Sequence, residues 1–126
     1  MISRKLAQSE WKPLLDFLSK RLLQGKRAEI EIAGLDLGDQ IAAKWLPLNG
    51  IVYDHKSQII EVSLGDGDEH VDHIIYGPRE ISLMEDVGLF ISLSVLDRDG
   101  RHQIVKVRDP IMLPPPEPHK SASANP

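Results

Sequence analysis

The apolar residues of this chain follow two periods in turn. From Ser9, a good N-cap, residues Trp11, Leu14, Leu15, Leu18 and Leu22 recur at spacings of three, four and seven, which lines one face of a helix. Pro13 is tolerable only near the first turn, where few backbone N–H groups have partners, and Gly25 supplies a C-terminal stop. The pattern predicts a helix over about residues 10–24. Lys12, Asp16, Lys20 and Arg21 lie off the apolar stripe, so the helix is expected to lie on a surface and cover a sheet or a barrel mouth.

After Gly25 the period changes from 3.6 to 2. "RAEIEIA" sets Ala28, Ile30 and Ile32 against Arg27, Glu29 and Glu31. "DQIAAKWL" sets Ile41, Ala43 and Trp45 against Gln40, Ala42 and Lys44, and "GLDLGD" turns the chain between them into a hairpin. "PLNG" carries an Asn-Gly turn signal before "IVY", "DHKS" is a second turn, and "QIIEVSL" presents Ile60, Val62 and Leu64 on one face. "HVDHIIY" and "REISLM" read as short strands joined or kinked at Gly77-Pro78, because proline cannot donate to a central ladder. "LFISLSVL", the turn "DRDG" and "HQIVKVR" make a last hairpin.

One helix with six or seven short strands, and no βαβ pattern or internal repeat, predicts an α+β fold that is mainly β. An N-terminal amphipathic helix would pack on a small antiparallel barrel or sandwich. The domain is expected to span residues 1–109. Residues 110–126, "PIMLPPPEPHKSASANP", change to a proline-rich composition and read as a disordered tail.

Composition narrows the chemistry. A chain of 126 residues with no cysteine has no disulfide framework, thiolate zinc site, iron–sulfur cluster or cysteine nucleophile. Lys and Arg number 15 against 19 Asp and Glu, and the net charge of −4 argues against non-specific binding to nucleic acid or anionic lipid. "RHQIVKVR" concentrates Arg101, Lys106 and Arg108 in one predicted strand, which reads either as a protected sheet edge or as the contact strand of a nucleic-acid-binding small barrel. The N-terminus has no signal-peptide pattern and no apolar run approaches a bilayer span, so a soluble, cytoplasmic protein is expected.

The acidic loop "GDGDE" followed by "HVDH" has the best claim to a site. His70, Asp72 and His73 are the metal-ligand candidates, yet a strand over this stretch puts His70 and Asp72 on one face and His73 on the other with Val71 and Ile75. The loop is no calcium hand: counting from Asp66, Val71 stands where glycine is needed and Gly77 where glutamate is needed. No metalloprotease, nucleophile-elbow, phosphate-loop or dinucleotide motif is present. Asp97 and Asp99 in "DRDG" are assigned to turn chemistry, and the triprolyl run Pro114–Pro116 to a spacer. No catalytic residue and no cofactor is nominated. The leading expectation is a non-catalytic binding or protein-interaction domain. The alternatives are a metal-dependent enzyme using His73 with Asp72 or His70, and the nucleic-acid-binding barrel.

The order "SEW-PLL-F", "LDLGDQIAAKWLPLNGIVYD", "DHIIYGPREI" and a hairpin ending in "VKVRDP" resembles an uncharacterised family of small bacterial domains of unknown function. The likeness covers about residues 8–109. Its most specific segments, W-L-P-L-x-G-I and D-H-x-I-x-x-P-R-E-I, fall here on Trp45, Pro47, Leu48, Gly50, Asp72, His73, Pro78 and Ile81. The resemblance implies a bacterial cytosolic origin and brings no activity with it.

Two further expectations concern surfaces. The strand at 39–46, with Lys44 as its only internal charge, and the following "WLPLNGIVY" form the most apolar non-helical candidate surface. A homodimer around Trp45 and Leu48 is one reading, and ordinary core positions under the helix are the other. The tail has no apolar periodicity to dock. Truncation after Pro114 is therefore expected to leave the thermal midpoint unchanged, and a lost or broadened transition in calorimetry would show that the tail packs.

Overall fold

A computed structural model describes residues 2–22, 25–34 and 38–112, with side chains described at all of these except 21, 22, 39 and 109–112. The elements run in the order β1 (Ile2–Lys5), α1 (Gln8–Phe17), a π-helical turn (Leu18–Leu22), β2 (Arg27–Gly34), β3 (Gly38–Asp54), β4 (Ile59–Asp66), β5 (Glu69–Tyr76), β6 (Glu80–Asp86), β7 (Leu89–Leu96) and β8 (His102–Met112). All eight strands belong to one antiparallel sheet in the order β1-β6-β7-β8-β2-β3-β4-β5, which is not closed by a ladder between β5 and β1. The α+β, mainly β class stands. The predicted six or seven strands become eight, and the predicted domain end at 109 falls inside β8, which continues to Met112. The predicted tail beyond that strand lies outside the described residues.

The helix starts two residues earlier and ends sooner than its apolar stripe suggested. Its N-cap is Ala7, not Ser9, and alanine offers no side-chain acceptor. Glu10 compensates by accepting the Ala7 N–H at 2.8 Å, half of a capping box. Pro13 thus sits in the second turn, where it leaves the Ser9 carbonyl without its intrahelical donor. Trp11, Leu15 and Leu18 are buried as their spacing predicts. The chain then widens into the π turn, which carries Ser19 to the edge of β3.

β3 departs furthest from expectation. "PLNG" does not form a turn: a single 17-residue strand pairs with β2 through residues up to Pro47 and with β4 from Leu48 onward. Where β2 ends, the freed edge of β3 is taken over by the helix side. Gly25 N–H donates to Leu48 O and Leu48 N–H to Lys26 O, both at 2.8 Å. The Ser19 hydroxyl then accepts the Ile51 N–H at 3.0 Å. These bonds satisfy backbone groups that burial would otherwise leave costly.

The change of partner lets the sheet fold over itself. Ala28, Ile30, Leu83, Phe90, Leu93, Val95 and Val105 of one half meet Ile51, Ile60, Val62, Leu64 and Ile75 of the other in one cluster with the helix residues. Trp11 and Tyr53 meet edge to face at 5.4 Å and 78°. Bulges break the alternation read from the sequence: Ile41 pairs with Glu31 while Ala43 pairs with Ile30, so Ile41 is exposed and Ala43 buried. Among the described residues, no helix is long and apolar enough to cross a membrane.

The β6–β7 hairpin turns on Val87-Gly88, both with positive φ (49° and 79°), the form in which asparagine or glycine is favoured at the first position. Val87 is β-branched, 89% exposed and strained there. Val87→Asn is expected to stabilise the protein by about 1 kcal/mol. Urea unfolding measures it, and an unchanged or lower midpoint rejects the strain.

Candidate functional site

Two places on the molecule gather side chains that sequence reasoning had kept apart. The first is the seam where β5, the last strand of the sheet, meets the turn between β7 and β8. Gly77 has positive φ (59°), and a Cβ there would stand 2.7 Å from Arg98 Cβ, so only glycine lets the two segments approach. The Arg98 N–H donates to Tyr76 O at 3.2 Å and the Arg98 guanidinium lies 5.2 Å from the Tyr76 ring centroid. Arg79 reaches back to Arg98 O at 2.7 Å.

Behind this backbone contact runs a chain of polar side chains. Gln103 shares the inward phase of Val105 and Val107 on β8 and is buried. Its amide nitrogen donates to Asp97 Oδ2 at 2.8 Å, so its amide oxygen faces His73 and accepts a hydrogen bond from Nε2 at 2.5 Å. This fixes His73 with the proton on Nε2. His73 is half-buried on the inward face of β5, as its phase with Ile75 predicts, and its bonded partner is an amide.

Asp97 is buried, and its Oδ1 accepts the N–H groups of Asp99 and Arg101 at 2.9 and 3.0 Å. Burial alone would raise its pKa. The bonds from Gln103, Arg101 and Asp99, with the nearby Arg101 charge, outweigh burial and hold the carboxyl below the ordinary value of 3.8. The sequence assignment of Asp97 to turn chemistry therefore holds but is incomplete, because the same carboxylate anchors a bridge to β5. A glutamine in the core phase of "HQIVKVR" was the available signal.

His70 and Asp72 do not join this cluster. They bond to each other at 3.0 Å on the outward face of β5, both about half exposed. Among the described residues, no three His, Asp or Glu side chains are grouped to hold a metal ion. The acidic loop is a two-residue hairpin turn, with Asp66 paired to Glu69 and Gly67 at positive φ.

The second place is Trp45. Two residues of β3, Lys44 and Trp45, oppose the single Glu29 of β2, and this bulge holds Trp45 at a φ of 51°. The Arg108 guanidinium lies 5.2 Å from the Trp45 ring centroid, and Arg27 Nη1 donates to the Trp45 carbonyl at 3.0 Å. Trp45 is half-buried, and Leu48 is fully buried in the core, the second of the two positions read for it from the sequence. The edge assignments also change. β8, read in one alternative as a protected edge, lies between β7 and β2, and β3, which contains the apolar stretch at 39–46, lies between β2 and β4; the outer strands are β1 and β5.

A titration reports on the seam. Because Asp97 is more acidic in the folded state than in the unfolded chain, its contribution is present above the unfolded pKa and is lost as pH falls below about 3.8. Asp97→Asn is expected to cost about 1–3 kcal/mol at neutral pH, with the difference from wild type shrinking below roughly pH 4. Urea titrations across that range check it, and a difference independent of pH would refute the role of the charge.

Comparison with known proteins agrees with the sequence resemblance. An uncharacterised protein of Aquifex aeolicus (strain VF5) is 31% identical over 114 residues, covering 90% of this chain and 99% of the relative. No solved structure matches significantly. The model of a family of unknown function, DUF5335, matches residues 2–116, which takes in every described element, and the chain belongs to that family.

Proposed function

We propose that this chain is a non-catalytic binding module whose binding face is the Trp45 end of the outer sheet surface. The supporting observation is the left-handed backbone of Trp45. A bulky aromatic residue at positive φ costs about 1–2 kcal/mol, and a glycine would sit in this bulge without that cost. Such strain at a partly exposed aromatic flanked by arginines is what a recognition residue looks like when function, not folding, sets its identity.

The seam cluster supports the same reading from the other side. The proton on His73 Nε2, both ends of the Gln103 amide and both oxygens of Asp97 are engaged with one another or with the turn backbone. These groups do structural work by tying β5 to β8.

Trp45→Gly separates the two roles. Relief of the strained φ offsets the lost contact of a half-buried ring, so the unfolding free energy is expected to stay within about 1 kcal/mol of wild type. A loss of roughly 3 kcal/mol or more in urea unfolding would place Trp45 among the residues that hold the fold and overturn the reading.

A further inference from the structure

The cations around Trp45 are more concentrated than the net charge of the chain suggests. The register Ala28↔Val107 brings Arg27 and Arg108 to neighbouring positions across β2 and β8, where like charges repel unless something anionic lies between or above them. Lys44 is exposed in the bulge beside Trp45, and Lys26 is exposed beside Arg27. Lys106, further along β8, is spent on Glu31 at 2.6 Å. The acid on this part of β2 is Glu29, which is buried and pairs across the ladder with Lys106. A chain with net charge −4 thus sets Arg108 against a partly exposed indole and Arg27 on its carbonyl, with exposed Lys26 and Lys44 next to them along the chain.

Two irregularities of the sheet converge to build this end. β3 bulges at Lys44 and Trp45. On the far side of β2, the β7–β8 ladder jumps from Ser92↔Lys106 to Phe90↔Ile111, so residues 107–110 of β8 stand opposite Ile91 alone. Arg108 therefore sits where β8 has left its β7 partner. Bulges re-aim side chains, and here both turn cationic or aromatic groups toward the same end of β2.

Resting on the reading of this end as the binding face, we propose that it binds single-stranded nucleic acid, with a base stacked at Trp45 and Arg108 and flanking phosphates held by Arg27, Lys44 and Lys26. An indole and a guanidinium already in contact provide flat surfaces that stack on any base. The remaining guanidinium and ammonium donors match phosphodiester oxygens. Arg27 spends one donor on the Trp45 carbonyl and keeps the rest of its fork. The surface offers one aromatic and a short row of cations, so binding should be of modest affinity, tolerant of sequence and steeply salt-dependent.

The test is titration of the full chain with polypyrimidine oligonucleotides, deoxyribo and ribo, at low salt. Tryptophan fluorescence and the anisotropy of a labelled strand are read together. Trp11 is buried in the core, so a ligand-dependent change reports on Trp45. Saturable quenching is expected. Arg108→Gln and Arg27→Gln should each weaken affinity by roughly tenfold and lower the salt slope by about one. Lys56→Gln, the same charge change at the exposed β3–β4 turn, should do neither. Circular dichroism confirms that each variant is folded. The proposal is overturned by the absence of saturable binding at low salt, by equal weakening from Lys56→Gln, or by a sulfated polysaccharide that binds as tightly and quenches as much. If oligonucleotides fail to bind while Trp45→Gly leaves stability intact, the nucleic-acid assignment falls and the binding-module reading survives.

Discussion

The architecture depends on β3 serving two ladders in succession. Its first part completes the sheet that β2 extends through β8, β7, β6 and β1, and its second part begins the half formed with β4 and β5. A flat eight-stranded sheet could not enclose a core with one short helix. A strand that changes partner midway lets the sheet turn its inner face on itself, so that Ile30 and Leu93 share a cluster with Ile51 and Ile75. The helix fits this design because the partner change leaves part of the β3 edge bare. Ser19, Gly25 and Lys26 supply the missing bonds there.

A sheet folded in this way has two ends that do not pair, and the molecule treats them differently. β1 is only four residues long and carries Arg4 and Lys5, which bridge to Glu85, Glu10 and Glu80. β5 is longer and lies against the opposite turn, through one backbone bond at Tyr76 and the buried path from His73 to Asp97. That path does for the seam what a closing ladder does for a barrel. It is satisfied at every member, the condition under which a buried polar chain adds specificity rather than cost.

What could be read from the sequence divides along physical lines. Local signals survived: the apolar stripe of Trp11, Leu15 and Leu18, the inward phase of His73, the turn role of Asp97, and the class of the fold. Failures came wherever tertiary context overrode a local rule. Asn49-Gly50 has the composition of a hairpin turn, yet the chain runs straight through it because β4 takes up the ladder that β2 leaves. Residues 2–5 have no alternating pattern and become a strand because the edge of β6 accepts them. The alternation of Ile41, Ala43 and Trp45 suggested a common face, and bulges invisible to a period-2 reading divided it. The seam was illegible because His73 and Gln103 are thirty residues apart.

The same division bears on where function should be sought. Residues whose identity follows from local rules, such as Gly67 in its turn or Ile75 in the core, carry no information beyond folding. Trp45 breaks a local rule, since glycine suits its backbone better. It breaks it at a bulge, where the residue is partly exposed, and beside two arginines. Val87 also breaks one, but at an exposed turn tip. Strain alone therefore does not single out Trp45. What does is that the backbone cost, the neighbouring cations and the opened β7–β8 ladder fall at one end of β2, so that an anionic, stackable ligand would meet positive charge and a partly exposed ring together.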